Sequence, residues 1–228
     1  MTAPDTPSAS STDGGASLSA GNEQRVLDAL VASGLRRGWW TESPALTRAY
    51  VRLSPTREPY GVLSFESPGG AETCVTLLFT DRPSEDADGE PAPLDGLGWM
   101  ASWRFPDDPG LLTLRAVVEQ TPMRVVRYRP LQRCTLATTG AAPRAFVKVF
   151  PDDRGARLHA ECVALWQARQ QGALHFDVAP PLQWDPARRA LWQGVVPGTP
   201  LVDRLAGREG PALAAALGRA CASLPGSG

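Results

Sequence analysis

The chain has 228 residues, 43% hydrophobic and 21% charged, enough to bury one large core or two small ones. A formal net charge of −1, with both signs spread along the sequence, lacks the basic footprint of a nucleic-acid binder and any polybasic stretch for a membrane surface. The four cysteines, Cys74, Cys134, Cys162 and Cys221, form no CxxC pair, and no leader-like or membrane-length apolar run occurs, so a cytoplasmic protein without a disulfide framework or zinc site is expected.

Residues 1–22 are almost all Ser, Thr, Gly, Ala, Pro and Asp, a composition with too little apolar surface to order, and are expected to form a disordered tail. Val26, Leu27, Leu30 and Val31 then fall at helical spacing, with Gly34 as the expected stop. Four short segments of period two follow, LTRAYVRL, YGVLSFES, TCVTLLFT and GWMASWRF, and read as antiparallel strands. Between the last two, the acidic, Pro-rich residues 81–96 read as a solvated loop. The segment FPDDPGLLTLRAVVEQ predicts a helix capped by Asp107 or Asp108, with Pro109 early and Leu111, Leu112, Leu114 and Val118 buried. Residues 23–121 are thus expected to form an accessory α+β unit, and nothing in them resembles a catalytic constellation.

The second half opens with three predicted strands, Val125–Tyr128, Arg133–Thr138 and Arg144–Phe150, joined by the short connections PLQ and TGAAP into a meander. Lys148 lies in the third and is the single lysine among 23 basic residues. Chance survival aside, a lone lysine marks a place where a compact ammonium does what a planar guanidinium cannot. Strand alternation puts Lys148 and Phe146 on one face, Val147 and Val149 on the other. A helix is predicted next, with Asp152 and Asp153 as caps and Leu158, Cys162, Leu165 and Trp166 inward. Glu161 falls on that inward stripe, and its economical partner is Lys148. A purely structural ion pair is the rival reading. A hairpin then runs to Trp184, turns through Asp185-Pro186-Ala187-Arg188 and returns over Ala190–Val196. An Ala-rich helix closes the sequence, with Pro211 near its start and Leu213, Leu217, Cys221 and Leu224 as its stripe.

That order of parts, with the connector Val195-Val196-Pro197-Gly198 and Leu201, resembles the aminoglycoside phosphotransferase and choline kinase superfamily, small-molecule relatives of the protein kinases, from about Arg124 onward. The resemblance implies an α+β fold: a protein-kinase-like N-lobe of about five antiparallel strands and one helix over residues 122–197. A hinge and the first helix of a second lobe would follow over 198–228. It also implies that Lys148 holds ATP phosphates, that Glu161 orients it, and that the C=O of Gly194 and the N–H of Val196 meet adenine. The loop that is glycine-rich in protein kinases is here Arg129-Pro130-Leu131-Gln132, so Arg129 or Arg133 is expected to meet the phosphates instead. The family's His-Gly-Asp catalytic loop has no counterpart, nor does its metal-binding Asp, and the final Leu224-Pro225 stands where a Leu-His pair is common. The expectation is therefore the front part of an ATP-dependent phosphotransferase acting on a small hydroxylated acceptor. Its magnesium ligands would lie in a further lobe, and this chain would be inactive alone. The alternative is a non-catalytic kinase-like module that binds a nucleotide or a protein.

Overall fold

The computed structural model describes residues 20–52, 60–80, 92–94, 98–140, 144–174, 176–198, 202–205 and 207–222. Most of the expected tail, most of the acidic loop, and Leu201, Leu224 and Pro225 lie outside the described residues. The chain divides into two compact units, Met1–Phe105 and Pro106–Gly228.

In the first unit, α1 (Ala20–Arg36) precedes β1 (Ala45–Arg52), β2 (Tyr60–Glu66), β3 (Glu72–Thr80), β4 (Ala92–Leu94) and β5 (Gly98–Arg104). The strands form one antiparallel sheet in the order β1-β2-β3-β5-β4. Period-two alternation explains the core: Leu63 and Phe65 of β2 and Val75 and Leu77 of β3 turn inward and meet Val26 and Leu30 of α1, with Trp40 and Met100 completing the cluster. Arg37, just past α1, lies over the Trp39 ring at 4.1 Å and donates from Nη1 to the Ser102 carbonyl at 2.8 Å, fastening the helix end to β5. Two expectations are corrected here. The helix runs through Gly34 to Arg36, and a short strand, β4, lies inside the segment expected as a loop. Pro93 is compatible with that strand because β4 is the sheet's edge.

The second unit holds α2 (Leu114–Gln120), β6 (Met123–Arg129), β7 (Arg133–Thr138), β8 (Ala145–Val149), α3 (Arg154–Gln170), β9 (Pro181–Asp185), β10 (Ala190–Gly194), α4 (Val202–Leu205) and α5 (Gly210–Ala222). Its sheet is also antiparallel, in the order β6-β7-β8-β10-β9, with α3 joining β8 to β9. The buried face carries Cys134, Leu136, Val147, Val149 and Ala190. The architecture of the chain is thus α+β, built on two antiparallel sheets. No helix of the described residues is long and apolar enough to cross a membrane.

The division between units falls sixteen residues earlier than the expected 121/122, at Phe105/Pro106. The reason is Asp108. Instead of capping a helix, it is buried, 3% exposed, and its carboxylate serves three donors of the second unit. Oδ1 accepts from the Gly110 N–H at 2.8 Å, and Oδ2 accepts from the Tyr128 hydroxyl at 2.6 Å and the Leu131 N–H at 2.9 Å. Thr113, before α2, adds a bond from Oγ1 to the Arg188 carbonyl at 2.6 Å. The segment 106–113 is therefore fastened to the second sheet. With α2 starting at Leu114, the buried residues become Leu111, Leu114 and Val117, while Leu112, expected inward, is 78% exposed.

Candidate functional site

Cross-strand register decides which side chains share a face, because directly opposed residues of antiparallel strands point the same way. Lys148 of β8 stands opposite Thr135 of β7 and Leu191 of β10, and Thr135 stands opposite Arg127 of β6. Arg129 of β6 stands opposite Arg133 of β7, one alternation further toward the turn that joins these strands. Arg127, Arg129, Arg133 and Lys148 thus lie on one face, with the Thr135 hydroxyl between Arg127 and Lys148. Buried Ala145, Val147 and Val149 take the opposite face, as the alternation of β8 predicts.

Among the described residues, none of Arg127, Arg129, Arg133 and Lys148 forms an ion pair or side-chain hydrogen bond. Like charges directly opposed across a strand pair are destabilising, so the Arg129–Arg133 pair is an arrangement that an anion improves. Arg129, Arg133 and Lys148 are each partly buried, so desolvation strengthens their attraction for such an anion relative to freely solvated cations. Leu191, 1% exposed, stands beside Lys148 and provides an apolar flank for it.

Helix α3 packs against β9 and β10. The face it covers is the one bearing Lys148: Gln193, two residues beyond Leu191, donates from Nε2 to Cys162 Sγ of α3 at 3.2 Å. Trp184, opposite Leu191, presses its ring on the helix at Gly155, where an added Cβ would lie 2.2 Å from a ring carbon. That close approach sets the rotation of α3. Gly155, His159, Cys162 and Trp166 form the covered stripe, while Leu158, expected inward, is 38% exposed.

Glu161 is corrected by the same rotation. Its side chain is 50% exposed, and its carboxylate pairs with Arg157 Nε one turn earlier at 2.9 Å. The structure forms no Lys148–Glu161 ion pair. The start of α3 is held as expected by Asp152 and not by Asp153. Oδ1 of Asp152 accepts the Arg154 N–H at 3.0 Å, and its two oxygens accept a fork from the Arg154 guanidinium at 2.7 Å each. These bonds hold the Asp152 carboxyl down at about 2.

The two connector positions lie at the other end of β10. Gly194 is its last residue, and its N–H is occupied by the Pro180 carbonyl at 2.8 Å. The Val196 N–H finds no acceptor among the described residues, and this side chain is partly exposed. At strand rise, Gly194 lies about 10 Å along the sheet from the level of Lys148. The structure therefore brings Lys148, Arg129 and Arg133 together on one face, sets Gly194 and Val196 apart at the far end of β10, and turns Glu161 away.

Arg127 belongs to this cationic face and was missed in the sequence. Its signal was available, since it precedes Arg129 by two in a strand of period two. Among the described residues, no group of three or more His, Cys, Asp or Glu side chains is placed to hold a metal ion. Comparison with family models, with curated proteins and with solved structures yields no match.

Proposed function

We propose that the second unit is the nucleotide-binding lobe of an ATP-dependent phosphotransferase of the aminoglycoside phosphotransferase and choline kinase type, which acts in the cytoplasm on a small hydroxylated acceptor. The observation that carries this reading is the cationic face: Lys148, Arg129 and Arg133 share one side of the sheet, with no carboxylate among the described residues paired to them. The five antiparallel strands with one helix inserted between β8 and β9 support it, because a three-strand meander, a helix and a hairpin are the parts, in chain order, that the resemblance implies.

In this reading Lys148 meets a bridging phosphate as a point charge, and the arginines at the β6–β7 turn grip the outer phosphates with planar forks. The N–H of Val196, at the far end of β10, serves the base. Magnesium, when bound to a nucleoside triphosphate, neutralises charge on the phosphate oxygens. The described residues contribute cations to this face and no carboxylate ligand for that metal. They also contribute no carboxylate to orient an acceptor hydroxyl. What this chain's own residues do is bind and orient. The Glu161–Arg157 pair favours a second reading for the chain alone, a nucleotide-binding module without turnover, because the carboxylate that would orient Lys148 is engaged elsewhere.

Titration of the chain with magnesium–ATP by calorimetry tests the proposal. Lys148→Met is expected to weaken binding roughly tenfold to a hundredfold, the scale of one charge-assisted hydrogen bond. Lys148→Arg is expected to preserve the far-ultraviolet spectrum and to weaken binding by no more than Lys148→Met does, because the fork keeps the charge but not the compact contact of an ammonium. ATP that fails to bind, or binds the Lys148 variants equally, overturns the proposal. Phosphoryl transfer by this chain to an offered alcohol overturns the module reading.

A further inference from the structure

The turn between β6 and β7 carries an unusual backbone for its sequence. The Gln132 N–H donates to the Arg129 carbonyl at 3.1 Å, closing a β-turn with Pro130 in its second position and Leu131 in its third. Leu131 has φ +61°, a left-handed conformation that this turn position ordinarily gives to glycine. A β-carbon there crowds the neighbouring carbonyl oxygen, so something must hold it.

The Asp108 carboxylate holds it. Oδ2 accepts the Leu131 N–H directly, and the same oxygen accepts the Tyr128 hydroxyl from β6, while Oδ1 closes the Asp108 loop on the Gly110 N–H. Gly110 sits so close under the turn that an added Cβ would lie 2.6 Å from Leu131 Cα. Tyr128 stands opposite Cys134, whose side chain is on the buried face. The fastening is therefore behind the sheet, and the Arg129–Arg133 pair is in front of it.

We propose that Asp108 is a positioning residue for anion recognition: by fixing the β6–β7 turn from behind, it sets Arg129 and Arg133 side by side at the rim of the Lys148 face. The same carboxylate consumes the Leu131 and Gly110 amides. The turn consequently offers a polyphosphate its side-chain forks and not the backbone amides of a glycine-rich loop. This rests on the nucleotide reading for its ligand, though the fastening itself does not.

Asp108→Asn is the decisive variant because it keeps the shape and removes one acceptor. Whichever way the amide is turned, an NH₂ group faces either the Leu131 or the Gly110 N–H, donor against donor. Hydrogen exchange of the full chain is expected to accelerate at Leu131 and Gly110 in D108N while the strands stay protected. With inorganic pyrophosphate as probe, D108N is expected to bind roughly tenfold more weakly. The loss should not add to that of Arg133→Gln but should add to that of Lys148→Met, since Lys148 stands on a different strand from the turn. Tyr128→Phe, which deletes one bond and no charge, gives the same pattern at smaller amplitude if D108N folds poorly. Unchanged exchange at Leu131 overturns the fastening. A D108N loss that adds fully to R133Q, or normal binding despite fast exchange, overturns the positioning role. Wild-type protein that binds no pyrophosphate overturns the nucleotide reading and the positioning role together, an outcome distinct from failure of the fastening alone, in which wild type and D108N bind equally.

Discussion

Gly110 leaves no room for a side chain, and the obstruction is backbone: besides Leu131 Cα at 2.6 Å, an added Cβ would meet the Leu131 carbonyl oxygen at 2.9 Å. Neither atom can rotate aside as a flexible side chain would. Gly110→Ala is expected to destabilise the second unit by about 1–3 kcal/mol, the usual cost of overpacking, read from denaturant unfolding. Gly218 is the matched control. It lies inside α5 with nothing within 4 Å of an added Cβ, so Gly218→Ala is expected to raise stability by up to about 1 kcal/mol through helix propensity. At this scale the sequence was legible where neighbours along one strand decided the outcome. The face of Lys148 followed from alternation within AFVKV. Asp108 was not legible, because its donors Tyr128 and Leu131 lie 20 and 23 residues onward and only the fold brings them to it.

Elements with a strict period were read nearly to their ends, among them β7 over Arg133–Thr138, because half-buried strands must alternate. The long helix was found, and Cys162 and Trp166 were placed on its inward stripe as observed, but Leu158 and Glu161 were placed there too and are exposed. Helical spacing lets Leu158 and Glu161 join that stripe as readily as Gly155 and His159. The tie is broken by the Trp184 ring seated on Gly155, a contact between elements that no pattern within α3 encodes. The start of that helix makes a prediction of its own. The Arg154 guanidinium, and then the Arg154 N–H, lower the Asp152 carboxyl from 3.8 to about 2. A carboxyl lowered by folding contributes stability above its unfolded value and loses it as pH falls through its folded one. Thermal melts of wild type and Asp152→Asn are thus expected to differ near neutral pH and to converge between about pH 4 and pH 2. A constant offset across that window would show that the charge plays no part.

For the whole molecule, the position of the boundary has consequences. A fragment beginning at Pro106 retains Asp108, Gly110 and Thr113, whereas one beginning at Pro122 loses the turn's fastening and the Thr113–Arg188 bond together. The longer fragment is expected to unfold cooperatively and bind pyrophosphate as the full chain does. The shorter is expected to unfold at lower denaturant and bind weakly, and equal behaviour of the two would place segment 106–121 outside the working unit. Composition allowed one large core or two small ones, and the two runs of alternating strands pointed to two. It could not locate the join, because FPDDPGLL reads equally well as a helix start and as a strap across a turn.

One further property follows from Lys148 being the single lysine. Arginine is inert to acylating reagents at neutral pH, so the molecule presents one side-chain amine, and that amine lies on the cationic face. An activated ester or a reductive-methylation reagent can therefore mark only this side chain and an N-terminal α-amine, without any engineered handle. Mass added to the peptide that contains Lys148 becomes a direct reporter of whether the face is covered or open.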